Sequence, residues 1–225
     1  EVRAELGWQP DLITVLAVGS QRVENMVETL NVLNHSGMPL QIAAVAGGDQ
    51  ETYTKLQETT WHRPAHIYNF VDNIPAMMNA ADLIICKAGG LIITESLAVG
   101  LPLLLINAIP GQEEGNAEYV VQNGAGALVK NPIETLETLY HWLDKDALLL
   151  NKCAEAASRL GRPRAAYEIA EMAWQCALKN PENHPARQSQ QKVTLKDLLS
   201  RNAVPLRKHR NINPLQRQKL KRDSS

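Results

Sequence analysis

An α/β fold built on a doubly wound parallel sheet is predicted by three features of the sequence. Six apolar runs of strand length alternate with stretches of helix length. The runs are continuously apolar, as strands covered on both faces are. Glycine, proline and polar residues gather where the runs end. Strands and helices alternating along a chain give right-handed crossovers, and hence helices on both faces of one sheet. In such sheets ligands collect at the carboxyl ends of the strands.

The first ten residues, EVRAELGWQP, read as a linker. DLITVLAVG (11–19) is the first strand, followed by a helix from Gln21 to about Asn34. LQIAAVAG (40–47) is the second strand, with a helix over 50–60. HIYNFV (66–71) is a short third strand, and NIPAMMNAA (73–81) a short helix whose Pro75 sits near its start, where a missing N–H does no harm. DLIIC (82–86) is the fourth strand, and GLIITESLAVG (90–100) a helix stopped by Gly100 and Pro102. LPLLLI (101–106) is the fifth strand, and QEEGNAEYVVQN (112–123) a helix with Gly124 as its C-cap. GALV (126–129) closes the set, and helices follow at 132–143, 145–159 and 163–179. The folded domain is therefore expected over 11–180, with 181–225 a basic, disordered tail in which KVTLKDLLS (192–200) forms at most one short helix.

The composition fits a globular body, with 44% hydrophobic residues among 225, and no apolar run is long enough to cross a bilayer. With no initiator Met and no signal-peptide pattern, the chain is expected to be the C-terminal part of something longer. Cys86, Cys153 and Cys176 are odd in number and widely spaced, which suggests a reducing compartment rather than a disulfide framework. The six histidines show no ligand spacing, so no metal site is expected. The net charge of -1 hides a split. Residues 187–225 hold eleven Lys and Arg against two Asp, a net of +9, while the first 186 hold twelve against twenty-two acids, a net of -10. Such a tail is either solvated or drawn to anionic lipid. No aromatic residue interleaves its charges for base stacking, so nucleic acid is not an expected partner.

Four polar clusters stand at strand ends. KAGG (87–90) lies between a strand and a helix, where glycines let a ligand approach and helix-terminal N–H groups favour an anion; a plain tight turn is the other reading. Glu95 lies about 7–8 Å further along that helix, at the distance of a ribose diol from a diphosphate, among apolar neighbours Ile92, Ile93, Leu97 and Ala98. GQEEGN (111–116) offers donors and acceptors for sugar hydroxyls, or simply caps a helix. VGSQR (18–22) ends the first strand without GxGxxG, and GxxxxGK[ST] is absent, which excludes a dinucleotide fingerprint and a P-loop. FVDN (70–73) sets an aromatic residue and a backbone turn where a base could lie, although Phe70 could equally be core.

In order along the chain, GSQ (19–21), FVDNIPAMMNAADLIICKAGG (70–90), TESLAVGLP (94–102) and PGQEEGNAEYVVQNGAG (110–126) resemble the donor domain of GT-B glycosyltransferases. The pattern is most similar to the monogalactosyldiacylglycerol synthases and processive diacylglycerol glucosyltransferases, and more distantly to MurG, the lipid II-forming GlcNAc transferase. The resemblance spans roughly residues 1–180. It implies a Rossmann-like domain that binds a UDP-sugar. By that resemblance Phe70 and Val71 flank the uracil, with Val71 offering backbone hydrogen bonds. Gly89 and Gly90 cradle the diphosphate, Glu95 holds the ribose hydroxyls, Gln112 and Glu113 contact the sugar, and Ser20 and Gln21 line the cleft beside the phosphates. Ala88 and Ile92 stand where MurG has Ser and Thr, which leaves phosphate to the backbone amides, with Lys87 as a nearby cation or a solvated one.

The resemblance further implies hexose transfer to a diacylglycerol-type lipid at the cytoplasmic membrane face, without a metal cofactor. The catalytic base and acceptor site are expected on an N-terminal acceptor domain or subunit, and the basic tail on anionic membrane. Two other readings share the architecture: a sugar-nucleotide 2-epimerase, and a donor-binding subunit with no activity of its own.

Overall fold

The computed structural model describes residues 2–20, 23 and 25–179. A six-stranded parallel sheet organises residues 2–172: β1 (Ile13–Val18), β2 (Leu40–Val45), β3 (Ala65–Tyr68), β4 (Leu83–Lys87), β5 (Leu103–Asn107) and β6 (Gly126–Leu128), in the order β3-β2-β1-β4-β5-β6. β1 pairs with β2 from Ile13↔Leu40 to Val18↔Val45 and with β4 from Val15↔Leu83 to Val18↔Cys86, so the first strand in sequence is central in space. The expected fold class is borne out.

Successive strand residues point to opposite faces, and the core divides accordingly. On one face Leu16, Ala43, Ile84, Cys86, Leu103 and Leu105 pack beneath α4 (Ile74–Ala80), α5 (Gly90–Ala98) and α6 (Glu114–Gln122). On the other, Val15, Ala17, Ile42, Ile85 and Leu104 pack beneath α2 (Met26–Asn34), α3 (Gln50–Glu58) and the first half of α7 (Pro132–Leu160). Helix starts carry the local signals that fix them. Asp49 caps α3 by accepting from Glu51 and Thr52 N–H, and Asn131 caps α7 by accepting from Glu134 N–H, with Pro132 just behind it.

The two helices expected over 132–143 and 145–159 are present as the two halves of α7, separated by a break at residues 144–147. Asp144 is extended, and Lys145, Asp146 and Ala147 are left-handed, with φ of 49°, 58° and 59°. The break lets the segment pass beneath the amino ends of the strands. Leu139 and Trp142 pack on one face of the sheet, and Ala156 and Ala157 on the other. The stretch expected as linker is also built in. It holds α1 (Val2–Glu5), Trp8 is buried, and Arg3 donates to Asp82 Oδ2 at 2.8 Å and to the Ala80 carbonyl at 2.7 Å. Arg3 thereby satisfies a carbonyl at the end of α4 and pairs with a carboxylate that also accepts from Thr14 N–H of β1 at 2.7 Å. α8 (Ala165–Lys179) ends the described residues; the expected tail of 181–225, with its segment 192–200, lies outside them. No helix among the described residues is long and apolar enough to cross a membrane.

Candidate functional site

The sheet order places β1 and β4 side by side, and the chain leaves them toward opposite faces, β1 to α2 and β4 to α5. A crevice at the carboxyl ends of two such strands is where doubly wound folds receive ligands. Of the site residues expected from the sequence, Ser20, Phe70, Val71, Gly89, Gly90, Gln112 and Glu113 follow the carboxyl ends of strands or open the next helix, Glu95 lies a turn and a half into α5, and Gln21 is outside the described residues.

The turn Lys87–Gly90 is its centre. Ala88 N–H donates to the Asn107 carbonyl of β5 at 2.8 Å, which pins the turn to the sheet. Gly89 is the N-cap of α5 with φ -70°, ψ 139°, and no side chain caps the helix. A Cβ on Gly89 would come no nearer than 3.8 Å to Ile92 and 3.9 Å to Glu113 Oε1; one on Gly90 would lie 3.8 Å from Asn116 Nδ2. These are ordinary contacts, so the fold itself does not demand glycine at either position. Gly100 is different, with φ 72° and Ser158 against it. The bareness of Gly89 and Gly90 leaves room for something outside the chain, beside helix N–H groups that carry a partial positive charge.

Glu113, expected to reach a sugar, is 6% exposed and turned inward. Its Oε1 lies 2.6 Å from Lys87 Nζ, and its Oε2 accepts from Ile109 N–H at 3.0 Å. Lys87 is therefore held rather than solvated. One helical turn on, Asn116 Nδ2 donates to the Ala88 carbonyl at 3.1 Å. Neither the ion pair nor Asn116 was predicted from the sequence. The spacing of Glu113 and Asn116, three apart at the start of a helix, is the signal that would have placed them on one face. Gln112, next to Glu113, is exposed.

Glu95 stands on α5 about 7.5 Å beyond Gly90 at 1.5 Å per residue. It is exposed, and it makes no side-chain hydrogen bond with the described residues; the apolar neighbours thought to crowd it, Ile93 and Leu97, face the core instead. Phe70 and Val71 follow β3. Phe70 is 68% exposed, while Val71 packs on the core edge and Asn73 caps α4 through Ala76 N–H at 3.4 Å. Phe70 is thus not a core residue. Ser20, half-buried, ends the β1 side of the rim, and its carbonyl accepts from Val23 N–H at 3.0 Å. Among the described residues no group of three or more His, Cys, Asp or Glu is placed to hold a metal ion. Burial pushes the Cys86 thiol, one residue before Lys87, up to about 12, which makes it a packing group rather than a nucleophile.

A six-stranded parallel sheet in this order, with an open helix start at its crevice, defines a doubly wound α/β domain of the GT-B type. The chain belongs to glycosyltransferase family 28, whose C-terminal domain matches residues 13–171. A probable chloroplastic monogalactosyldiacylglycerol synthase of Glycine max is 36% identical over 177 residues, covering 75% of this chain and 33% of that protein. The chain thus spans about a third of the length of the curated relatives it matches. Among solved structures, MurG of Acinetobacter baumannii superposes with a TM-score of 0.62 at 20% identity, over 77% of this chain and 53% of that one. MnaA of S. aureus, solved with UDP, gives 0.62 at 14% identity, over 81% and 49%. These two share the fold.

Proposed function

We propose that this chain is the donor-binding part of a UDP-sugar-dependent hexosyltransferase that glycosylates a diacylglycerol-type lipid. One observation carries the reading: two glycines that the fold does not need, at an uncapped helix start on the crevice of a glycosyltransferase domain. The diphosphate rests on the N–H groups of Gly89 and Gly90, and Ser20 lies alongside, with Gln21 next to it in the sequence. Glu95 accepts from the ribose hydroxyls, Phe70 and Val71 receive the uracil, with Val71 bonding through its backbone, and Gln112 faces the sugar. As the bond from the sugar's anomeric carbon to the diphosphate breaks, negative charge grows on the leaving oxygen. Amides fixed by the α5 start stabilise it without reorganising. In this reading no metal ion is required. The base that activates the lipid hydroxyl, and the lipid site, belong to an acceptor domain or subunit. The enzyme works at the membrane face.

Calorimetry on the chain with UDP, UDP-glucose, UDP-galactose, UDP-GlcNAc and a GDP-sugar tests the reading. Uridine nucleotides are expected to bind equally with and without EDTA, and the GDP-sugar not to bind. Loss of all affinity in EDTA, or equal binding of the GDP-sugar, would overturn it.

A further inference from the structure

A carboxylate is a poor neighbour for an anion, yet Glu113 Oε1 lies 3.9 Å from where a Cβ of Gly89 would be. Its charge is met by Lys87 Nζ at 2.6 Å and by the Ile109 N–H at 3.0 Å. The two side chains are only 7% and 17% exposed, so their charges are screened less than at open surface. Alone, the carboxylate would repel a diphosphate at Gly89 and Gly90. Alone, the ammonium would attract one. The pair also has a mechanical place. Lys87 ends β4, Ile109 lies in the loop after β5, and Glu113 is the N-cap of α6, so three elements meet at one carboxylate.

We propose that Lys87 and Glu113 are a positioning pair that sets the charge of the anion cradle, with Lys87 neutralising Glu113 so that the start of α5 accepts a nucleoside diphosphate. This rests on the donor-site reading above. Glu113 then acts on the donor through Lys87 and not by touching the sugar.

The test is calorimetry on the full 225-residue chain with inorganic diphosphate, UDP and UDP-glucose. Glu113→Gln keeps the shape, still accepts from Ile109 and releases Lys87, so all three probes are expected to bind about tenfold tighter. Lys87→Met removes the cation from beside a buried carboxylate, and binding is expected to fall at least about tenfold. The double variant carries neither charge and should return to within about threefold of the parent chain. Lys87→Arg should keep the parent affinity. It also decides the matter together with Glu113→Gln if thermal melting shows that Lys87→Met does not fold. The opposite signs separate this role from a merely structural one, in which both single variants weaken binding; that result overturns the proposal. A loss confined to UDP-glucose in Glu113→Gln also overturns it, by returning Glu113 to the sugar. A parent chain that binds neither diphosphate nor UDP overturns the donor-site reading itself, and this inference with it.

Discussion

Glu95 presents its carboxylate to solvent a turn and a half beyond two bare glycines, with no partner to give up before it accepts a ligand. Two adjacent hydroxyls are a matching donor pair for it. Hydrogen bonds to a charged group contribute about 1.5–3 kcal/mol, so Glu95→Ala is expected to weaken UDP binding by that amount. Inorganic diphosphate has no ribose and should bind the variant as it binds the parent. Titration of both ligands into the folded variant checks this, and an unchanged UDP affinity would leave Glu95 an ordinary solvated helix residue. The single Phe of the chain belongs to the same scale. Phe70 is exposed where a core aromatic would be buried, which leaves a flat apolar face on the rim.

The start of α5 is the element on which the proposed donor site depends. Gly90 opens a helix and Gly89 has backbone angles that alanine adopts freely, so replacing both by Ala should stabilise the domain by about 0.4–1 kcal/mol per site. The same methyl groups occupy the cradle, and UDP affinity should fall more than about tenfold. Gly126→Ala is the contrasting control. Its Cβ would run into the Leu103 backbone, with the carbonyl carbon at 2.9 Å, and should lower the melting temperature. Thermal melts and calorimetry on the two variants separate the two kinds of glycine. The strands were legible in the sequence because two-sided burial writes itself as continuous apolar runs, as in LIIC and LPLLLI. The rim was legible because polar residues interrupt those runs at their ends. The pairing of Lys87 with Glu113 was not, since it joins residues 26 apart through the adjacency of β4 and β5. Nor was the place of Trp8: its indole donates to Tyr68 Oη at 3.3 Å, a contact that only the packed sheet creates.

At the scale of the whole molecule the charge split matters most. The first 186 residues carry a net of -10 and should be repelled by anionic lipid, while residues 187–225 carry +9 and should be attracted. Such attraction is screened over about 8 Å at physiological salt. Sedimentation with anionic vesicles is expected to fall steeply as salt rises and to vanish when 187–225 are deleted, with neutral vesicles binding far less throughout. A deleted chain that still sediments would place the lipid contact on the folded domain.

Of these six strands, the one made first is the one that ends in the middle of the sheet. Ile13–Val18 can join Leu40–Val45 early, but its other edge stays bare until Leu83–Lys87 has been made. An apolar strand waiting with an open edge is exposed to self-association, and closing the long intervening loop slows the rescue. The sheet therefore grows outward from β1 in two directions, and its margins, β3 and β6, each paired along one edge only, are the easiest to lose. Amide hydrogen exchange should be slowest at the β1–β4 seam and fastest along Ala65–Tyr68 and Gly126–Leu128, the two margins that complete the fold.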